Sequence, residues 1–485
     1  MNIQRPRPRS VVLLSLAVLT AGILASCAVN PATGARQLTF VGESQEIAMG
    51  RESDPQIVAQ MGLYPDSSVQ RYVGELGLRM AAVSERPDLP WTFRVLDDPT
   101  VNAFALPGGF IYVTRGILTH LTSEAQLAGI LGHEIGHVTA RHSVNQMSRA
   151  QLAQGLLTVG SVLSEEVRRY GGLAAQATGL LFLRFGRDDE LESDALGLRY
   201  MTRVGYDPSE LAGVMEMLDR TSELASGGSG RLPQWLSTHP NPENRVQRIQ
   251  QRIAATPEYQ GSTTVGRATF MGRLDGMTFG ENPREGFEGE GAFHHPDLAF
   301  RVHVPSGWGV YNGRDAVRMG PEDGGALFQL RLAEGDPVAA SRSFAAQDGV
   351  QAGAPREETI HGMPAVVRSF TAAADDGELA GEMTHLAYGG RTYALMALST
   401  AGGWPQYAPA LRGVVRSFQE ETDPEILEVQ PLEVQVRTLD QATTWGGFVR
   451  DFPSEITEEE LSVINQVPVG GLVQAGPVKQ VVRRN

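Results

Sequence analysis

The sequence predicts an α+β multidomain protein: a mainly helical domain with a small sheet, then an antiparallel-sheet α+β domain, then a small β-α-α-β module. Three observations carry this. At 485 residues the chain is long enough for two or three domains with separate cores. From Glu43 to about Ala255 apolar residues recur mostly at helical spacing. After Gln260 they fall into short alternating runs bounded by Gly, Pro and Asp turns.

Each element follows from local pattern. Residues 28–42 read as an extended tether. Helices are expected over 44–61 and 67–84, strands near 92–96 and 110–113, and then a helix opened by the Ser123 cap. The stretch 151–183 is strongly apolar but interrupted at 164–170, so no run reaches membrane-spanning length; buried helices lining a cleft are expected. Ser226-Gly227-Gly228-Ser229-Gly230 reads as a flexible loop. Strands are expected near 299–304, 326–332, 365–370, 383–388 and 392–398, with helices over 337–346 and 404–417. The last sixty residues read as strand 432–436, helices 441–452 and 457–465, and strand 478–482. The division is therefore 1–27 signal, 28–42 tether, 43–260 first domain, 261–424 second domain and 425–485 module.

The N-terminus bears on location. Arg5, Arg7 and Arg9 precede an apolar run that ends in Leu24-Ala25-Ser26-Cys27. A basic start, a short apolar run and small residues before a cut describe a secretory signal. A cut that ends at cysteine resembles a bacterial lipobox, in which Cys27 becomes the lipid-bearing first residue. Alanine rather than aspartate at position 28 implies delivery to the outer membrane, hence a periplasmic protein anchored there. Cys27 is the only cysteine, so an exported chain has no disulfide framework. The net charge of −15, more negative once the signal arginines leave, argues against a nucleic-acid partner. Arginine supplies nearly all the positive charge, with Lys479 the sole lysine.

The chemistry centres on His133-Glu134-Ile135-Gly136-His137. On a helix, positions i and i+4 share a face, so two imidazoles can grip one metal ion. Glu134 then stands beside the open side of that metal, where it can take a proton from water. Catalytic zinc takes three protein ligands. Downstream, Glu190 and Asp194 also stand at i and i+4 in an acidic helix start; one can ligate while the other bonds the free nitrogen of a liganding histidine.

These residues resemble the family-48 metallopeptidases, gluzincins that include the HtpX-type, BepA-type and CAAX prenyl proteases. The second motif, Glu190-x-x-Ser193-Asp194, carries serine where the family usually has alanine, and Phe185-Gly186-Arg187 carries glycine for the family's serine. The segment from Asn102 through Gly108 and Gly109 to Val113 resembles the family's substrate-pairing edge strand. Thr238-His239-Pro240 with Arg245-Val246 resembles the element that closes its catalytic domain. The likeness covers roughly residues 30–255. It implies one zinc ion per chain on His133, His137 and Glu190, with Asp194 supporting them and Glu134 as base. It also implies substrate contacts at Asn102, Gly108 and Gly109. His239 would approach the metal from the other side, either holding an inactive state or stabilising the transition state.

The later segments carry weaker likenesses. Residues 300–308 resemble the opening of PsbP/Mog1-like sheet domains, and their neighbours His294, His295, His303, His361 and His385 show no ligand spacing. The last module is faintly similar to a lysin-motif unit that docks on peptidoglycan. Two functions are expected to compete. One is a zinc endopeptidase clearing misfolded or misassembled envelope proteins. The other is a chaperone or adaptor for outer-membrane protein assembly with a latched metal site.

Overall fold

The change of apolar spacing along the chain corresponds to a division into two compact units, although the break falls at Gly280 rather than at Gln260. The computed structural model describes residues 27–157, 184–227, 233–239, 244–374 and 377–484. The expected signal segment, most of the apolar 151–183 stretch and residues 228–230 of the expected loop lie outside the described residues. The architecture is multidomain α+β, with a helical N-terminal part and a sheet-rich part after it.

The first unit opens with a hairpin, β1 (Cys27–Val29) and β2 (Arg36–Leu38), paired antiparallel with Cys27 opposite Leu38. The segment expected as a tether thus has structure of its own. Asn30 Oδ1 holds the hairpin turn by accepting from the amides of Ala32 and Thr33, at 2.8 and 3.3 Å. Gln37 donates to the Ala140 carbonyl and the Phe40 amide to Ser148 Oγ, so the segment lies against the helical body. Helices α1 (Glu43–Met61) and α2 (Ser67–Ala81) follow, the second capped by Asp66, which accepts from the Ser68 amide.

Strands β3 (Thr92–Leu96), β4 (Ala103–Leu106) and β5 (Phe110–Thr114) form a sheet in the order β3-β5-β4. β5 is parallel to β3 and antiparallel to β4. The expected single edge strand over 102–113 is therefore a hairpin. β4 is the edge, and the wholly buried β5, rich in aromatic and β-branched residues, is central. Gly108 and Gly109 make the turn at φ +83° and +99°, and a Cβ on Gly108 would sit 2.6 Å from Ile47 Cα.

Two short steps lead to the helix that carries the histidines: α3 (Arg115–His120) and then α4 (Glu124–Thr139). Ser123 Oγ accepts from the Gln126 amide, the cap expected from sequence. Every α4 residue after Glu124 is buried. α5 (His142–Leu157) begins after Arg141, which turns the chain at φ +60°. α6 (Arg187–Arg203) bears the acidic motif, followed by α7 (Glu210–Ser226), α8 (Trp235–Thr238) and α9 (Arg245–Ala255). Strand β6 (Thr278–Phe279) ends this stretch.

α4 and α6 meet almost backbone to backbone. A Cβ on Gly132 would lie 3.1 Å from Gly197 Cα, one on Gly136 3.1 Å from Ser193 Cα, and one on Gly197 3.1 Å from the His133 nitrogen. Small residues at 132, 136, 193 and 197 permit the approach.

The second unit is built on an eight-stranded antiparallel sheet. Its main path runs through Trp308–Asn312, Val317–Pro321, Ala326–Ala333, Arg391–Thr400, Gly377–Tyr388, Met363–Ala374 and Val350–Ala352, and Arg356–Ile360 pairs with Met363–Ala374 beside it. Helix Trp404–Arg416 buries Leu411, Val414 and Val415 against Phe328, Leu330 and Leu395. Phe344, from helix Pro337–Ala345, packs with Phe370 and Met383 in a separate cluster. A smaller sheet joins Gln419–Glu420, Phe300–His303, Ala292–His295 and Phe287–Gly289.

The chain ends in the expected β-α-α-β order: β7 (Leu432–Leu439), α10 (Trp445–Asp451), α11 (Glu458–Asn465) and β8 (Gly476–Arg483). Contacts place Glu433–Val482 in the first unit, together with the helical body. The strand order β8-β7-β6 shows how. Lys479 shows why. The sole lysine is fully buried and donates to the carbonyls of Thr119, Leu121 and Ile464, so one ammonium satisfies groups at the ends of α3 and α11. Gln466 adds an amide pair with Gln126 in the first turn of α4, at 2.7 and 3.0 Å.

Because the Cβ of residue 136 would face backbone rather than a movable side-chain tip, Gly136→Val must push α4 and α6 apart. Overpacking of this kind costs about 1–3 kcal/mol. Urea titration should show that loss; an unchanged midpoint would mean that the helices tolerate separation.

Candidate metal centre

The close approach of the two helices brings three chain segments to one buried point. His133 and His137 come from adjacent turns of α4, Glu190 from the first turn of α6, and His239 from the residue after α8. One donor atom from each lies within 4.8 Å of all the others, and all four residues are buried. His133 Nε2 is 3.0 Å from His137 Nε2 and 3.4 Å from His239 Nδ1. Glu190 Oε1 is 3.4 Å from His137 Nε2 and 2.9 Å from His239 Nδ1. An acidic helix start usually faces water, and Asp188 does; Glu190 turns inward and is fully buried.

A second layer orients these groups. Asp194 Oδ1 lies 3.0 Å from His133 Nδ1. Arg245 clamps Asp194 with two bonds, 2.7 Å from Nε and 2.6 Å from an Nη, while its other Nη lies 3.1 Å from Glu190 Oε2. The guanidinium in turn sits over the Trp235 ring at 4.9 Å. Trp235 Nε1 donates to Glu134 Oε1 at 3.2 Å, and Glu134 Oε2 is buried with no hydrogen-bond partner.

Electrostatics prepare the cluster for a cation. Burial alone would raise the Glu190 carboxyl, but the imidazoles of His239, His137 and His133 hold it well below the usual carboxylate range. Burial pushes His137 well below the ordinary histidine value and so favours the neutral, ligating form. Burial would also raise Asp194, and Arg245 outweighs it. His239 moves the other way. Burial lowers it, but the carboxylates of Glu190 and Glu134 prevail and raise it.

The donor set fits a divalent metal. Glu134, Glu190 and Asp194 put three carboxylates in a buried volume that contains one guanidinium, Arg245. Carboxylates in excess of cations in such a place are costly, and a divalent ion offsets them. Two imidazole nitrogens with a carboxylate oxygen suit zinc.

The other sequence-expected residues lie elsewhere. Asn102 precedes β4; its amide donates to Thr114 Oγ1, its carbonyl accepts from the Thr114 amide, and its buried Oδ1 has no hydrogen-bond partner among the described residues. Gly108 and Gly109 form the β4–β5 turn and are not in the ligand cluster. Cys27 begins β1. Sequence reasoning passed over Trp235 and His142, and it gave Arg245 no role. Each acts through a contact between distant segments. Only the proximity of Arg245 to His239 in the chain hinted at one of them.

Comparison with known proteins agrees with this geometry. Residues 67–253 match the model of peptidase family M48. The chain is 31% identical over 240 residues to the mitochondrial metalloendopeptidase OMA1 of Schizosaccharomyces pombe, covering 47% of this chain and 66% of that one. It is 29% identical over 256 residues to the beta-barrel assembly-enhancing protease of Escherichia coli K12, covering 50% and 52%. The chain thus spans between about half and two thirds of the length of these relatives. Among solved structures, cyanobacterial PsbP from Synechocystis is similar to 27% of the chain and 91% of its own, at 12% identity and a TM-score of 0.23, too low to carry an argument about fold. Residues 67–253 thus form a peptidase family M48 domain.

Proposed function

We propose that the chain is a zinc-dependent endopeptidase of the bacterial periplasm that cleaves misfolded or misassembled envelope proteins. The observation that carries the reading is a free carboxylate oxygen beside a complete donor set: Glu134 Oε2, buried and unpartnered, next to His133, His137 and Glu190. Zinc held by those three would supply Lewis acidity toward a peptide carbonyl and toward water. Trp235 pins Glu134 through Oε1, which leaves Oε2 to accept a proton from the attacking water and return it to the leaving amine. Asp194, clamped by Arg245, keeps His133 turned so that Nε2 faces the metal.

Substrate would add to the edge strand β4. Among the described residues β4 pairs only with β5 in its sheet, and an extended peptide would join its outer side by backbone hydrogen bonds whatever its sequence. Asn102 at one end and Gly108-Gly109 at the other would bracket that peptide. The edge suits unfolded clients.

His239 Nδ1 lies among the ligand atoms, where a fourth donor would take the position that water needs. The resting site is thus latched, and substrate engagement must move His239 aside. A chaperone or adaptor with a permanently latched site would share this arrangement, but it would have no use for the free oxygen of Glu134. The name of the bacterial relative points to outer-membrane assembly as the setting. Residues 261–424, as a PsbP/Mog1-like domain, and 425–485 would then present clients or dock on assembly machinery or peptidoglycan. Among the described residues no helix is long and apolar enough to cross a membrane. A lipid on Cys27 would supply the anchor.

Three experiments test this reading. Glu134→Gln should retain one zinc per chain by metal analysis yet lose casein cleavage, because an amide cannot take the proton; substantial residual turnover would remove Glu134 from the mechanism. His239→Ala, at matched zinc occupancy, should raise basal casein cleavage. A fall of about 10²–10³-fold, as for loss of a transition-state donor, would show instead that His239 serves the chemistry. Cys27→Ser should move the protein from the outer-membrane fraction to the soluble periplasm, and continued sedimentation with membranes would mean that something other than the lipid holds it.

A further inference from the structure

The two α4 histidines are supported by different groups, each drawn from distant parts of the chain. Arg245 and Asp194 hold His133. His137 is reached by a chain that starts in the N-terminal hairpin. Its Nδ1 lies 3.0 Å from Nδ1 of His142, the first residue of α5. His142 Nε2 lies 3.3 Å from Glu192 Oε2 and 3.7 Å from Asp189 Oδ1. Glu192 Oε1 accepts from Asn30 Nδ2 at 2.8 Å. His137, His142 and Asn30 are each only 1% exposed.

The direction of every bond follows from the chemistry of the end groups. A metal on His137 Nε2 leaves the ring proton on Nδ1. That proton can only be donated to His142 Nδ1, so His142 carries its own proton on Nε2 and gives it to Glu192. Ser193 Oγ lies 3.3 Å from the same His142 nitrogen. The Asn30 amide cannot be reversed, because Oδ1 already accepts from Ala32 and Thr33 in the hairpin turn. Glu192 stands in the middle with an imidazole on one oxygen and an amide on the other.

We propose that Asn30, Glu192 and His142 position His137 for metal binding, so that the β1–β2 hairpin is a working part of the metal centre. The proposal rests on the zinc reading above and adds three positioning residues to it. It also gives a reason for the hairpin to lie against the body through Gln37 and Phe40: it must deliver Asn30 to α6.

The test is zinc affinity of the purified full chain by chelator competition, with the visible spectrum of the cobalt-substituted protein as a geometric readout. His142→Phe should weaken affinity by about 10–100-fold, the usual effect of losing a group that orients a ligand, and should alter the cobalt spectrum. His142→Asn, whose Oδ1 stands near the lost Nδ1, should recover most of the affinity. Asn30→Asp keeps the turn acceptor but cannot donate to Glu192; it should weaken affinity several-fold, and it decides the matter should His142→Phe not fold. Unchanged affinity and spectrum in His142→Phe and Asn30→Asp would overturn the proposal, as would equal losses in the Phe and Asn variants. A wild-type chain without stoichiometric zinc would instead overturn the metal reading on which it rests.

Discussion

The site depends on two helices that meet through their smallest residues. Gly132, Gly136 and Gly197, with Ser193, let α4 and α6 approach until backbone meets backbone. Only at that separation does a glutamate on one helix meet imidazoles on the other at about a metal's span. Glycine inside a helix costs roughly 1 kcal/mol relative to alanine. Three such positions along one seam mark a geometry held against that local cost. The departure at Ser193 from the family's usual alanine is compatible with the seam, because serine is still small and its hydroxyl turns toward His142.

Bringing the helices together buries charge, and the rest of the centre manages the consequence. Glu190, Asp194 and Glu134 lie out of water with Arg245 as their cationic partner. Arg245 is held in turn by the face of Trp235, which also holds Glu134. One tryptophan and one arginine thus organise both the ligand side and the proton-accepting side. The carboxylates of Glu190 and Glu134 raise the His239 imidazole, which faces the same negative charge. A divalent ion answers it more fully. The C-terminal module serves the same helix from its far end, where Gln466 and the buried ammonium of Lys479 tie down the start of α4 and the end of α3.

Much of this was legible in the sequence, and the limit of legibility has a physical form. The two-histidine helix, its serine cap and the acidic helix follow from i, i+4 spacing and cap chemistry, which are local. Strand and helix runs such as 326–332, 337–346 and 404–417 match elements of the structure to within one residue, because one buried face imposes a period on the residues themselves. What escaped depends on meetings between segments far apart in the chain. The strand expected over 102–113 is a hairpin, since two glycines with positive φ interrupt a run whose apolar pattern is continuous. The tether over 28–42 is a docked hairpin whose polar contacts carry no periodic signal. Lys479 stands out in the sequence only as the sole lysine, and it is a buried three-way donor. His142 lies just beyond the end of α4, five residues after His137, where helical spacing no longer applies.

The proposed centre is one zinc ion on His133, His137 and Glu190, with His239 as the fourth donor in the resting protein. X-ray absorption at the zinc edge of the purified wild-type chain examines this directly. The expected first shell is three imidazole nitrogens and one carboxylate oxygen at about 2.0–2.2 Å, with the multiple-scattering pattern of imidazole and no sulfur. A shell of two imidazoles or fewer, or a chain that retains no zinc, would contradict it.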